Sequence, residues 1–166
     1  MKLNDKVLFA KVKPEAKIPS KREEDGCYDI YACFDEEVIT IKPHEIVTVP
    51  TGIASAFDSK YRFDVQRERG STGSIGLVPR CGQIDSGYRG EWFLKLQNTT
   101  NKNIIISKLH DAKQELDKAI YYPYSKAVCQ AALEIVPVIE TEEISFEELK
   151  EIPSERGDGA LGSSGK

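Results

Sequence analysis

No apolar run in this chain of 166 residues approaches the ~20 residues that a helix needs to cross a bilayer, and the longest candidates are short β-rich stretches such as 103–107. A transmembrane helix is therefore excluded from the expectation. The four cysteines, Cys27, Cys33, Cys81 and Cys129, form no CxxC pair, and no basic-then-apolar leader opens the chain, so we expect reduced thiols in a soluble cytoplasmic protein. Positive charge is also scarce. A net charge of -4 and a pI near 5.3 argue against a broad phosphate-backbone footprint, which excludes a nucleic-acid polymer as the main partner. Lysine is absent from 62–89, yet that stretch holds Arg62, Arg67, Arg69, Arg80 and Arg89, five of the seven arginines. Arginine's planar fork suits phosphate oxygens, so a small anion remains a candidate ligand.

What is present fits one globular domain: 40% of the residues are hydrophobic, enough for a proper core at this length. Short β-branched and aromatic runs recur between turn signals at 38–41, 46–49, 53–57, 61–65, 92–96, 104–106 and 128–136. That spacing predicts an all-β barrel or jelly roll. Within 61–65, Tyr61, Phe63 and Val65 alternate with Arg62 and Asp64, which predicts a strand buried on one face only. Two stretches carry helical signals. Between 111 and 120, Ala112, Leu116, Ala119 and Ile120 are spaced for one helix face, and Ser145 with Glu148 offers a capping box before an acidic turn.

Residues 82–91 read GQIDSGYRGE and put a carboxylate, a phenol ring and a guanidinium close together, with glycines that let a ligand approach the backbone. Asp85 follows a strand-type isoleucine and precedes a Ser-Gly turn pair, so it is expected in a hairpin that aims it at a pocket. Residues 68–73 read ERGSTG and set Arg69 beside small donors, a composition that can face phosphate oxygens without the GxxxxGK[ST] spacing of a P-loop. The tail from 155 is glycine-rich, with Leu161 as its one large apolar residue.

In order, DGCYDIYA (25–32), ERGSTG (68–73), GQIDSGYRGE (82–91), AVCQAALEIVP (127–137) and RGDGALGSSG (156–165) resemble the five motifs of the homotrimeric dUTP pyrophosphatase (dUTPase) family. The resemblance implies a distorted jelly-roll β-barrel subunit over 1–152, with a partly helical insert at about 109–124, and a flexible arm over 153–166 that closes over a neighbouring active site. It implies a homotrimer whose sites are assembled from three chains, with dUTP as substrate and dUMP and pyrophosphate as products. Such an activity keeps uracil out of DNA and supplies dUMP for dTTP synthesis. Mg²⁺ is expected to bind mainly through the substrate phosphates, a mode suited to a hard cation that keeps several waters, with Asp29 contributing only through water.

By the same resemblance, Asp85 activates the attacking water, Tyr88 lies against the deoxyribose, and backbone groups at Gly82 and Ile84 read uracil. Arg69, Gly70, Ser71 and Gln130 meet the phosphates. The order Arg-Gly-Ser departs from the family's Arg-Ser-Gly, which leaves Ser71 and Thr72 both open as the hydroxyl donor. In the fourth motif, 125–127 read Ser-Lys-Ala where the family has Gly-Asp-Arg. In the arm, Arg156 meets the γ-phosphate and Gly162, Ser163 and Ser164 add donors, while Leu161 stands where an aromatic ring usually covers the base. A dCTP deaminase on the same fold would need a glutamate base, against the aspartate-tyrosine form found here. The 109–124 segment is long for the family, and some phage members use such segments to bind regulatory proteins, so a protein partner there is a further expectation; the location for a phage-encoded chain would be the host cytoplasm. His44 and His110 are expected to be surface or loop residues, Trp92 and Phe93 core or subunit-interface residues, and Arg89 is expected either on phosphate or in an ion pair with a nearby carboxylate.

Overall fold

The computed structural model describes residues 6–159. Chain order runs β1 (Leu8–Lys11), β2 (Cys27–Ile30), β3 (Val38–Ile41), β4 (Ile46–Pro50), β5 (Ile53–Ala56) and β6 (Tyr61–Arg67). A single helical turn, α1 (Gly70–Gly73), precedes β7 (Leu77–Pro79), β8 (Gln83–Asp85), β9 (Phe93–Asn98) and β10 (Asn103–Ser107). Then come β11 (Gln114–Glu115), β12 (Ala119–Pro123), β13 (Cys129–Ile135) and α2 (Phe146–Glu151). The all-β expectation holds. Among the described residues the strands form four small sheets, ordered β1-β5, β11-β12-β10-β3, β2-β13-β6-β8 and β4-β9-β7, and they do not close into one continuous barrel.

The chain divides into two compact units at Val136/Pro137. In the first, the core is built around Phe63, fully buried, whose ring meets Trp92, Phe57 and Tyr28 edge-on at centroid distances of 5.0, 5.2 and 5.5 Å. Each such ring removed from water contributes about 1.5–3 kcal/mol, and edge-on packing adds to that. The Trp92 indole N–H is satisfied by the Ser55 hydroxyl at 3.1 Å, so the largest core side chain carries no orphaned donor. In the second unit, α2 is capped by Ser145, whose hydroxyl accepts from the Glu148 amide at 3.2 Å while the Glu148 carboxylate accepts from the Ser145 amide at 2.8 Å.

The helix expected over 111–120 is absent; the segment forms β11 and β12 instead. Its apparent helical face splits, since Ala112 and Leu116 are exposed while Ile120 is buried. Long-range pairing wins over local spacing. β12 lies parallel to β10 from Asn103↔Ala119 to Ser107↔Pro123, and Ile120 and Tyr122 alternate into the core as strand residues do.

The sheet β2-β13-β6-β8 carries most of the polar motif residues on one face. Phe63 aligns with Leu133 and Ile84 toward the core. The alternate rows therefore face outward: Glu134, Arg62 and Asp85 in one, and Asp29, Gln130 and Arg67 in another. A bulge between Gln130 and Ala132 keeps both rows on that face. Arg62 and Arg67 both reach Glu134, at 3.1 and 3.4 Å, and Arg67 also pairs with Asp64 at 3.1 Å, which ties the rows together.

Candidate active site

At one end of this face, Arg69 leaves β6 and begins α1. Its Nε lies 2.9 Å from Asp29 Oδ1, and the same oxygen accepts from Gln130 Nε2 at 3.1 Å. The carboxylate thus fixes two donors whose remaining N–H groups can meet an anion. Thr72 is fully buried; its hydroxyl accepts from the Arg69 amide and donates to the Arg69 carbonyl, both at 3.1 Å, and so builds the turn. Ser71 is half-buried and bonds the Tyr122 hydroxyl at 3.0 Å. Because Tyr122 donates its proton to the Ala127 carbonyl at 2.7 Å, Ser71 is the donor in that pair. Both hydroxyls left open by the sequence are thus engaged within the chain, Thr72 on the Arg69 backbone and Ser71 on Tyr122. A cleft of about 660 Å³ opens here between Arg69, Gln130, Asp29 and the loop 20–27. Arg22 grips Asp25 through two hydrogen bonds at 3.0 Å in that loop, and they hold the Asp25 carboxyl below its usual range. The Lys21 ammonium folds back onto the Asp25 carbonyl at 2.8 Å.

At the other end, Asp85 closes β8, which among the described residues is an edge strand with no partner on its outer side. The Gly82 carbonyl accepts from the Val65 amide at 3.2 Å, so it points into the sheet. By the two-residue alternation of an antiparallel ladder, Gln83 is the residue whose N–H and C=O face the open edge. A cleft of about 250 Å³ lies there, lined by Gln83, Ile84, Asp85, Tyr88, Glu91 and Phe93. The Tyr88 amide donates to the Asp85 carbonyl at 3.1 Å, closing the turn, and the Tyr88 hydroxyl donates to the Glu91 carbonyl at 2.8 Å. Arg89 donates to the carbonyls of Ser86 and Tyr88, so it stiffens the turn instead of pairing with a carboxylate. The two clefts share no residue. Asp85 pairs with Arg62 and Gln130 with Arg67, five residues apart on β6, a separation of roughly 15–17 Å.

Comparisons with known proteins bear on this pair of clefts. No family model matches the chain. A deoxyuridine 5′-triphosphate nucleotidohydrolase of Leptospira interrogans (serogroup Icterohaemorrhagiae, serovar copenhageni) is 32% identical over 120 residues, 70% of this chain and 82% of that protein. One from Nautilia profundicola is 30% identical over 164 residues, 97% of this chain and 99% of its own. The chain belongs to the dUTPase family. The dUTPase of Staphylococcus bacteriophage 80alpha, solved with dUPNHPP, shares the fold at a TM-score of 0.71 and 21% identity, covering 98% of this chain and 99% of that one. A dUTPase from phage phi11 of S. aureus, described as coordinating a structural Mg(II) ion, aligns at a TM-score of 0.65 and 19% identity, over 86% and 99%.

Against the dUTPase expectations, Asp29, Arg69 and Gln130 come together at one end of the face, with Gly70 and Ser71 next in the chain, and Ile84, Asp85 and Tyr88 line the cleft at the other. The backbone groups of Gly82 and Ile84, expected to read uracil, face β6 instead, and Gln83 presents its own to the open edge. Arg156 lies in the second unit, where its Nε donates to the Gly159 carbonyl at 2.8 Å. Leu161, Gly162, Ser163 and Ser164 lie outside the described residues. Gln83, Glu91 and Phe93 had no place in the cleft by sequence reasoning; alternation from Ile84 was the available signal for Gln83. Trp92 takes the core alternative, and Phe93, outside the core, is half-exposed and lines the cleft. Both histidines are structural: His44 sits at φ 61° beside Asn101, and His110 stacks on Tyr121 at 4.3 Å. Among the described residues no three His, Cys, Asp or Glu side chains form a metal cage. Asp29 is already committed to a guanidinium, which suits contact with a metal-bound water better than direct ligation.

Proposed function

We propose that the chain hydrolyses dUTP to dUMP and pyrophosphate. The observation that carries this is the cleft at the open edge of β8, where a carboxylate, a tyrosine ring and unpaired backbone groups of Gln83 converge. Uracil binds along that edge by backbone hydrogen bonds, and a wrong base leaves polar groups unpaired. Tyr88 covers the deoxyribose. Asp85 takes a proton from water as the water oxygen attacks the α-phosphorus; the bond from that phosphorus to the α–β bridging oxygen breaks, and pyrophosphate leaves. Arg69 and Gln130, held by Asp29, with the first amides of the α1 turn and a Ser71 hydroxyl that must turn from Tyr122 to donate, neutralise and orient the phosphates. Mg²⁺ bound through the triphosphate would supply further charge neutralisation.

The separation of the two clefts supports a shared site. Adjacent phosphates are joined by a single oxygen, while the Asp85 and Gln130 rows stand roughly 15–17 Å apart along β6, a span that favours Arg69 and Gln130 serving the Asp85 of another chain. A second chain would then bring its Arg69 end to the Asp85 end of the first. That contact joins unlike ends, and such head-to-tail contacts close as rings, here a homotrimer. The arm from 153 would close over the site, with Arg156 on the γ-phosphate and Leu161, Gly162, Ser163 and Ser164 over base and phosphates. Cys27, Cys33, Cys81 and Cys129 are all free thiols, which supports a reducing compartment such as the cytoplasm. Among the described residues no helix is long and apolar enough to cross a membrane. A protein partner docking on the 109–124 segment would meet Leu109 and Leu116, which are exposed on either side of β11.

The test is pyrophosphate release from dUTP, dTTP, dCTP and UTP with and without Mg²⁺. Release from dUTP alone, enhanced by Mg²⁺, is the expected result; ammonia release from dCTP would instead indicate a deaminase. Truncation before Glu155 in the same assay should abolish most turnover if the arm closes the site.

A further inference from the structure

The Tyr88 ring is fastened at three places. Its amide donates to Asp85 O at 3.1 Å, its hydroxyl donates to Glu91 O at 2.8 Å, and the ring lies directly on Gly90. A Cβ at position 90 would fall 2.6 Å from Tyr88 Cζ and 2.9 Å from Cε2, far inside van der Waals contact. Gly90 has no positive φ to explain it, unlike Gly52, Gly76 and Gly157. Its missing side chain serves the ring. The far anchor is in turn referred to the core: Glu91 Oε1 accepts from the Gly52 amide at 2.7 Å, and the Trp92 amide donates to Ile53 O at 2.9 Å.

We propose that Gly90 is a specificity-determining position, setting the tilt at which Tyr88 meets the sugar and hence the refusal of a 2′-hydroxyl. This rests on the reading of the β8 cleft as a deoxynucleotide site. Any side chain at 90 pushes the ring away and breaks its bond to Glu91 O. The displaced group is the far end of a side chain, so the cost falls on ring position and not on the backbone.

The experiment compares the full-length protein with Gly90→Ala, Tyr88→Ala and the double variant. Rates are measured on dUTP and UTP, and calorimetry measures binding of the α,β-imido analogues of both, a readout that needs no turnover. Gly90→Ala should lower kcat/KM on dUTP by roughly ten- to hundredfold, as a misplaced positioning group does. It should also raise the UTP-to-dUTP preference by about tenfold, without a comparable change for dCTP, whose rejection depends on the backbone edge. In the Tyr88→Ala background, Gly90→Ala should change analogue binding by less than about twofold, because no ring remains to displace. An unchanged UTP-to-dUTP preference overturns the proposal, as does an equal loss with and without the ring, which would mean that Gly90 acts through the fold. A wild-type protein inactive on dUTP overturns the activity reading and this inference with it; an active one indifferent to Gly90→Ala overturns this inference alone.

Discussion

Asp29 Oδ1 receives two donors from two different elements, and that shared acceptor gives the Arg69 end its geometry. Replacing Asp29 by Asn removes the charge that orients Arg69. KM for dUTP should rise several-fold, while the unfolding midpoint moves by no more than about 2–4 °C, because a partly exposed ion pair is worth little stability. Asp85 makes the opposite trade. Asp85→Asn should cost ~10²–10⁴ in kcat yet leave binding of a non-hydrolysable dUTP analogue nearly unchanged by calorimetry. Thr72 belongs to the fold: Thr72→Val leaves the partly buried Arg69 amide without its partner and should cost about 1 kcal/mol in urea unfolding. Asp85, Tyr88, Arg69 and Gln130 stood out in the sequence because each lies in a short motif that resembles the family's. Which of Ser71 and Thr72 faces outward was not legible there, since that depends on Tyr122, 51 positions beyond Ser71.

Strands whose alternation or β-branched run is self-contained, β3, β4, β6, β10 and β13, stand where the sequence indicated them. The segment 111–120 did not follow its own spacing. Ala112, Leu116 and Ile120 fall at helical intervals, but the parallel seat beside β10 captures Ile120 and Tyr122, and no local window contains that seat. The edge status of β8, which exposes the backbone of Gln83, is hidden in sequence for the same reason. The opposite case is α2, whose Ser145–Glu148 capping box is wholly local and was readable. Its pH response follows from the cap. Hydrogen bonds from the Ser145 hydroxyl and amide hold the Glu148 carboxyl below the usual value of 4.5, so their contribution is present above that value and is lost as pH falls through the lowered one. Amide hydrogen exchange in α2 should accelerate as pH drops below 4.5 relative to the intrinsic rate at each pH, and Ser145→Ala, which removes the hydroxyl but keeps the amide, should weaken that dependence.

For the whole molecule, two half-sites at opposite ends of one sheet face predict complementation. Chains carrying Asp85→Asn and chains carrying Arg69→Ala should each be inactive, yet mixed by unfolding and refolding together they should recover roughly a quarter of wild-type activity, since one neighbouring pairing in four unites an intact Asp85 with an intact Arg69. No recovery would mean that each chain completes its own site. The Tyr122 hydroxyl adds a constraint in time. It links Ser71 in the α1 turn to the Ala127 carbonyl, so the turn is complete only when β12 has docked. On a ribosome adding ~5–20 residues per second, the interval between making Ser71 and making its partner 51 positions later is about 3–10 s. A growing chain carries an unfinished α1 turn throughout that interval, so the cleft proposed for the phosphates takes shape only after most of the first unit has been synthesised.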